Sequence, residues 1–227
     1  MLTDLYEKLG TKFGNRARWD KIQARFARAG IKDPNKIETY TAKVELLALM
    51  DLAAACPDNG TILEIGSHLG ASTAYIAAAA FGRGITIYCV DTWDNLHMPG
   101  EQRDIFQEFK NNLGGAVSIV RPIRKHNSEL TAADIHTPID FAFLDADHSY
   151  ESTRFDFRMV HPWMGPNGIM AFHDSQAFEG VSRVIGEVLA SGAWCMAGQV
   201  ANLTWLRRAD WKERTDHTPS MGDILAK

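Results

Sequence analysis

Two short stretches of the sequence set carboxylates beside imidazoles, Asp145-Ala146-Asp147-His148 and His173-Asp174. Each follows an unbroken apolar run, Ile139 to Leu144 in the first case and Gly168 to Phe172 in the second. Apolar runs of this length read as buried parallel strands. Adjacent strands of one sheet lie only about 5 Å apart, so the two run ends can bring Asp145 together with His173 and Asp174. Carboxylate oxygens mixed with imidazole nitrogens suit a divalent ion such as Mg, Mn, Fe or Zn. Asp145, His173 and Asp174 are therefore the expected metal ligands, and the imidazole shifts preference toward a transition metal.

A second chemistry is carried by Leu63-Glu64-Ile65-Gly66-Ser67-His68-Leu69-Gly70-Ala71-Ser72-Thr73. Gly66 and Gly70 allow a tight turn and close backbone approach, and the amides of the helix that follows face a ligand. Glu64 is acidic within an otherwise apolar strand end, which packing alone does not explain. The next strand ends Val90-Asp91-Thr92-Trp93, with Asp91 placed 25 residues after Gly66, where an acidic side chain would hold a ribose diol. The dinucleotide pattern G-x-G-x-x-G is absent, because His68 stands at its second glycine; this disfavours NAD and FAD. An adenosine-bearing ligand is implied.

These residues need elements to hold them. Apolar runs at Thr61 to Ile65, Ile85 to Val90, Val117 to Val120, Ile139 to Leu144 and Gly168 to Phe172 alternate with helical segments near Ala71 to Phe81, Glu101 to Asn112, Ser128 to Ile135 and Glu151 to Val160. Val181, Val184, Ile185, Val188 and Leu189 then share one helical face. Two last strand-like runs, Ala193 to Met196 and Val200 to Leu206, are close enough to form a hairpin. The expected fold is α/β: a Rossmann-like, doubly wound, mostly parallel seven-stranded sheet with a C-terminal antiparallel hairpin. Residues 1–36 read as a helical appendage, with helices around Leu5 to Phe13 and Trp19 to Ala29. Residues 37–208 form the main domain and 209–227 a polar tail.

Composition narrows the partners. The 227 residues carry 24 Lys plus Arg against 28 Asp plus Glu, a net charge of -4, which argues against a nucleic-acid or anionic-membrane surface. No apolar stretch approaches the length of a membrane span, and the N-terminus lacks the pattern of a signal peptide. Cys56, Cys89 and Cys195 cannot all pair and each lies in an apolar segment, so a reducing, cytoplasmic setting is expected.

Taken in order and spacing, Glu64-Ile-Gly-Ser-His-Leu-Gly70, Asp91-Thr-Trp93, Phe143-Leu-Asp-Ala-Asp-His-Ser-Tyr150 and Gly168-Ile-Met-Ala-Phe-His-Asp174 resemble the class I S-adenosylmethionine-dependent methyltransferases. More narrowly, residues 40 to 207 are similar to the branch that includes catechol-type, cephalosporin-hydroxylase-like and sugar O-methyltransferases. The resemblance implies S-adenosyl-L-methionine as cofactor, held by Glu64, Gly66, Ser67, Gly70, Ser72, Thr73, Asp91, Thr92, Trp93, Asn127, Ser128 and Asp145. It also implies metal-assisted O-methylation of a hydroxylated small molecule or sugar. In catechol-type relatives a carboxylate ends the fourth strand and an Asp-Asn pair ends the fifth, together holding magnesium or a similar ion. Asp145 matches the first, and His173 with Asp174 replaces the pair, the histidine being a departure. His148 stands where those relatives have a catalytic lysine. With an ordinary pKa near 6.5 it is the expected general base, acting with Asp145. N-terminal helices in such relatives commonly support association, so a homo-oligomer is expected. Two other readings remain open: iron-dependent oxidation at His148, His173 and Asp145, and a cofactor-binding module without catalysis.

Overall fold

A computed structural model describes residues 12–94 and 103–209 of the chain. Most of the helix expected at Leu5 to Phe13, the segment after the second strand that includes His97, Met98 and Pro99, and nearly all of the polar tail lie outside the described residues.

Helix α1 (Lys12–Arg28) and helix α2 (Lys43–Ala55) precede strand β1 (Thr61–Ile65). There follow α3 (Ala71–Ala80), β2 (Thr86–Asp91), α4 (Phe106–Leu113), β3 (Val120–Arg124), β4 (Ile139–Leu144), α5 (Tyr150–Val160), β5 (Met164–Phe172), α6 (Glu179–Ala190), β6 (Trp194–Val200) and β7 (Leu203–Arg208). The seven strands form one sheet in the order β3-β2-β1-β4-β5-β7-β6. All pairings from β3 to β5 are parallel, and β7 is antiparallel to both β5 and β6. The fold is the expected doubly wound α/β sheet with a terminal hairpin.

Two apolar cores cover the two faces. One packs Leu49, Met50, Tyr75, Ile76, Trp93 and Phe109 against the sheet, and the other packs Phe157, Val160, Val184, Ile185 and Val188. Every residue of α3 is buried. Its six alanines and single serine and threonine carry little bulk, so this helix can lie close to both the sheet and α2. Helix α1 inserts Ile22 and Phe26 into the same core, with Phe26 edge-on to Tyr75 at 4.9 Å. No helix among the described residues is long and apolar enough to cross a membrane.

Several elements differ from the sequence reading. The third strand runs over Val120–Arg124 instead of Val117 to Val120, because 114–119 winds into 3-10 turns. As an edge strand it needs only a partly buried face, so Arg121, Pro122 and Arg124 are admissible in it. The helix expected at Ser128 to Ile135 is two short 3-10 turns, Asn127–Glu129 and Ala132–Asp134. The second is closed by Thr131 and Asp134, whose side chains bond each other and the local backbone. The hairpin strands run several residues further toward the C-terminus than expected.

Sheet order decides where the site lies. From β1 the chain winds outward through β2 to β3, then returns to β4 on the other side of β1, making the β1/β4 border the switch point where such sheets bind ligands. Ile65 is in register with Leu144, and Leu144 with Phe172. The next residues, Gly66, Asp145 and His173, therefore leave the sheet side by side. Gly66 has φ +87°, and a Cβ there would stand 2.1 Å from the Asp145 carbonyl oxygen. That carbonyl belongs to the residue whose amide donates to Ile65 O at 2.9 Å, so it cannot retreat without disturbing the β1/β4 border. Gly66→Ala is expected to cost at least about 2 kcal/mol more than Gly82→Ala, whose φ of +78° is similar but whose Cβ would meet nothing within 4 Å. Urea unfolding of both variants checks this; equal losses would show that the close approach imposes no constraint.

Candidate functional site

The glycine loop is braced from beneath by Glu64. This carboxylate has no exposed surface and accepts hydrogen bonds from the hydroxyls of Ser67 (2.9 Å), Ser72 and Thr73. The Cys89 thiol approaches it at 3.4 Å. Burial pushes the Glu64 pKa up, against the pull of those hydroxyls. Glu64, Ser72 and Thr73, expected as cofactor contacts, are buried against one another, and their bonds tie the glycine loop to the start of α3.

Asp91 ties the same loop from the side. Its Oδ2 accepts the amides of Ser67 at 3.0 Å and His68 at 2.8 Å, and its Oδ1 accepts the Trp93 amide at 2.7 Å. A carboxylate offers about four lone-pair positions, so one remains for an outside hydroxyl. His68 and Trp93 sit at φ +43° and +52°, a left-handed backbone that these amide bonds help to hold. Trp93 is fully buried: its indole N–H donates to His68 O at 2.9 Å and its ring packs on Phe106 and Phe109. These contacts anchor Trp93 in the loop. Thr92 remains partly exposed and donates to Asp94 at 2.8 Å.

After β3 the two expected adenine contacts diverge. Ser128 is exposed, while Asn127 is buried and donates from Nδ2 to Asp156 at 2.6 Å.

The ends of β4 and β5 carry the acid and imidazole groups. His148 Nε2 lies 3.1 Å from Asp174 Oδ2 and 3.8 Å from Asp145 Oδ1. Candidate ligand atoms from Asp145, His148 and Asp174 all lie within 4.8 Å of one another. Phe178, an exposed ring, stacks on His148 at 4.4 Å. The neighbouring Asp145 and Asp174 carboxylates raise the His148 pKa despite partial burial. Asp174 itself is at φ +54°, a left-handed conformation uncommon for a residue with a side chain, and its carboxylate faces the cluster.

His173 has a different place from the one expected. Its ring is buried, with Nδ1 at 3.0 Å from Asp145 Oδ1 and 3.4 Å from Asp174 Oδ2, and Nε2 at 3.1 Å from Glu45 Oε2. Burial alone would lower its pKa, but the bonds to Asp145 and Glu45 carry it up to about 10. Both ring nitrogens of His173 thus already face carboxylates, and the three side chains whose candidate ligand atoms lie mutually within 4.8 Å are Asp145, His148 and Asp174. The fit is supported by His148 Nε2, which is buried and makes no well-formed hydrogen bond despite its carboxylate neighbours.

Glu45 escaped the sequence reading. It stands in the first turn of α2, 1% exposed, and accepts the Ala42 and Asn202 amides, both at 2.7 Å, as well as His173. Burial acts to raise its pKa, but these donors hold it below the usual carboxylate value. The one available signal was an acidic residue at a helix position otherwise flanked by Val44, Leu46 and Leu47.

Comparison with known proteins accords with this geometry. Residues 63–175 match a family described as a methyltransferase domain. An uncharacterized protein, y4gI, from Sinorhizobium fredii (strain NBRC 101917 / NGR234) is 26% identical over 121 residues, which are 52% of this chain and 13% of that protein. The chain thus spans a small fraction of that relative. Among solved structures, a Corynebacterium glutamicum protein superposes with a TM-score of 0.61 at 14% identity, covering 95% of this chain and 98% of that one. An O-methyltransferase from Bacillus cereus, in complex with SAH, gives 0.57 at 14% identity, covering 91% and 96%. These structures share the fold.

Asp156 adds a titration outside the cluster. It is 2% exposed, and burial lifts its pKa to about 7 against the opposing bond from Asn127. The folded form then holds a proton that the unfolded chain releases near its ordinary value, so between about pH 4 and 7 stability falls as pH rises, and above pH 7 the loss is complete. Asp156→Asn retains an acceptor for Asn127 and removes the charge. The variant is expected to be more stable than the unaltered protein at pH 8 by on the order of 2 kcal/mol and no more stable at pH 4, as read from denaturant melts at both values.

Proposed function

Since the chain carries a methyltransferase domain with the class I, S-adenosylmethionine-dependent fold, we propose that it transfers the sulfonium methyl group of S-adenosylmethionine to a hydroxyl of a small molecule, with a divalent cation held by Asp145, His148 and Asp174. The observation that carries this reading is the convergence of those three side chains at the ends of β4 and β5, next to a glycine loop at the sheet's switch point. Such a cation would supply Lewis acidity, lowering the pKa of an acceptor hydroxyl.

The chain's own contribution is placement. Methyl transfer needs an in-line approach of oxygen, carbon and sulfur, and fixing that line supplies much of the rate. The loop from Gly66 to Gly70 is fixed by Glu64 below and Asp91 beside it, so the cofactor would meet a preformed surface. Asp91 retains acceptor capacity for a ribose hydroxyl. The cofactor's positive sulfonium would face a rim that includes Asp91, Asp145, Asp147 and Asp174, a concentration of charge within a chain whose net value is only -4.

His148 supports a second reading. Its Nε2, steadied by Asp174 at 3.1 Å, could instead accept the hydroxyl proton, with Asp145 and Asp174 stabilising the imidazolium. One nitrogen cannot serve both roles at once. Oxidation at His148, His173 and Asp145 is disfavoured because carboxylates engage His173 at both nitrogens.

Chelation separates the two. With a catechol or polyol acceptor found by screening, removal of divalent ions is expected to lower turnover roughly 100-fold or more, a loss of about 3 kcal/mol in transition-state stabilisation. Asp145→Asn is expected to do the same while leaving S-adenosylhomocysteine affinity within about three-fold of the unaltered protein. Full activity in chelator, lost only in His148→Ala, would establish the base reading and discard the cation.

A further inference from the structure

We infer that Glu45, far from the cluster in sequence and in no contact with its three members, is a positioning residue that sets how strongly Asp145 and Asp174 hold a cation. The inference rests on the reading of Asp145, His148 and Asp174 as a cation site. Its basis is the single ring of His173, which stands between Glu45 on one side and both carboxylates on the other.

The ring is buried, so its N–H groups have only these carboxylates to bond. Glu45 Oε2 accepts from Nε2 at 3.1 Å and turns Nδ1 toward Asp145 Oδ1 and Asp174 Oδ2. The Glu45 anion also balances the ring from the far side. Without it the ring is free to turn away from Asp145 Oδ1 and Asp174 Oδ2, the oxygen atoms a cation would use. Glu45 is itself fixed through both oxygens, by the Ala42 amide at one end and the Asn202 amide at the other. The second of these ties it to the turn between β6 and β7, so three parts of the chain define one ring orientation. Loss of a hydrogen-bond partner of a metal-ligating side chain weakens the metal by roughly 10–100-fold; His173 is such a partner of Asp145, and Glu45 acts through it.

The test uses the full chain and manganese(II) alone, with free ion counted by electron paramagnetic resonance. Glu45→Gln keeps the shape but presents an amide to Nε2, and its dissociation constant for manganese is expected to rise about ten-fold or more. Glu45→Asp keeps the charge on a shorter arm and is expected to lose less; it also serves if the glutamine variant fails to fold. Imidazole 15N shifts of His173 in the metal-free protein are expected to change with either substitution, a readout that general loosening elsewhere would not mimic. Equal manganese affinity in the unaltered and substituted proteins would overturn this inference alone. No manganese uptake by the unaltered protein would overturn the cation reading and this inference with it.

Discussion

A carboxylate, an imidazole and a second carboxylate stand in a row where the strands end: Glu45 and His173, both buried, and Asp145, partly exposed. Charges removed from water are tolerated only when each is paired and its remaining hydrogen-bonding positions are filled. Here the condition is met by parts of the chain distant in sequence, with Glu45 from α2, Asp145 from the end of β4, His173 from the end of β5 and the Asn202 amide from the hairpin turn. None of these segments can shift without leaving a buried charge unpaired. The site's geometry is thus fixed by an electrostatic requirement of the interior, and the surface groups Asp174 and His148 are built onto it.

Sheet register supplies the second constraint. Parallel pairing of β1 with β4 and of β4 with β5 brings Gly66, Asp145 and His173 off the sheet at one level. The glycine loop can then touch the β4 end only because position 66 has no side chain. Glu64 and Asp91 stabilise the loop from two sides in different ways: one is wholly buried among hydroxyls, and the other accepts three backbone amides. Together they make a rigid floor for a ligand before any ligand arrives, which lowers the ordering cost of binding.

The sheet was legible because β1, β2 and β4 are buried on both faces and so appear as mostly apolar runs. β3 was misplaced since an edge strand need not be apolar, and Arg121-Pro122-Ile123-Arg124 carries little of that signal. The convergence of Asp145 with Asp174 could be read from strand order and the narrow spacing of strands. Side-chain direction could not. Both rings face the carboxylates, His173 from the buried side, where Glu45, 128 residues away in sequence, holds its far nitrogen, and His148 from the partly exposed side. Trp93 and Glu64 were similarly placed at the correct loop, yet their burial arises from tertiary contacts with Phe106, Phe109 and the hydroxyls of α3 that no local pattern displays.

The central claim is that one crevice, at the ends of β1, β4 and β5, holds both the methyl donor and a cation. A crystal structure of the protein soaked with S-adenosylhomocysteine and manganese, with anomalous scattering recorded at the manganese edge, tests it most directly. The account predicts one anomalous peak bounded by Asp145, His148 and Asp174, with the cofactor's sulfur on the side of the Gly66 to Gly70 loop. Cofactor bound at that loop with no anomalous density among those three side chains would contradict it.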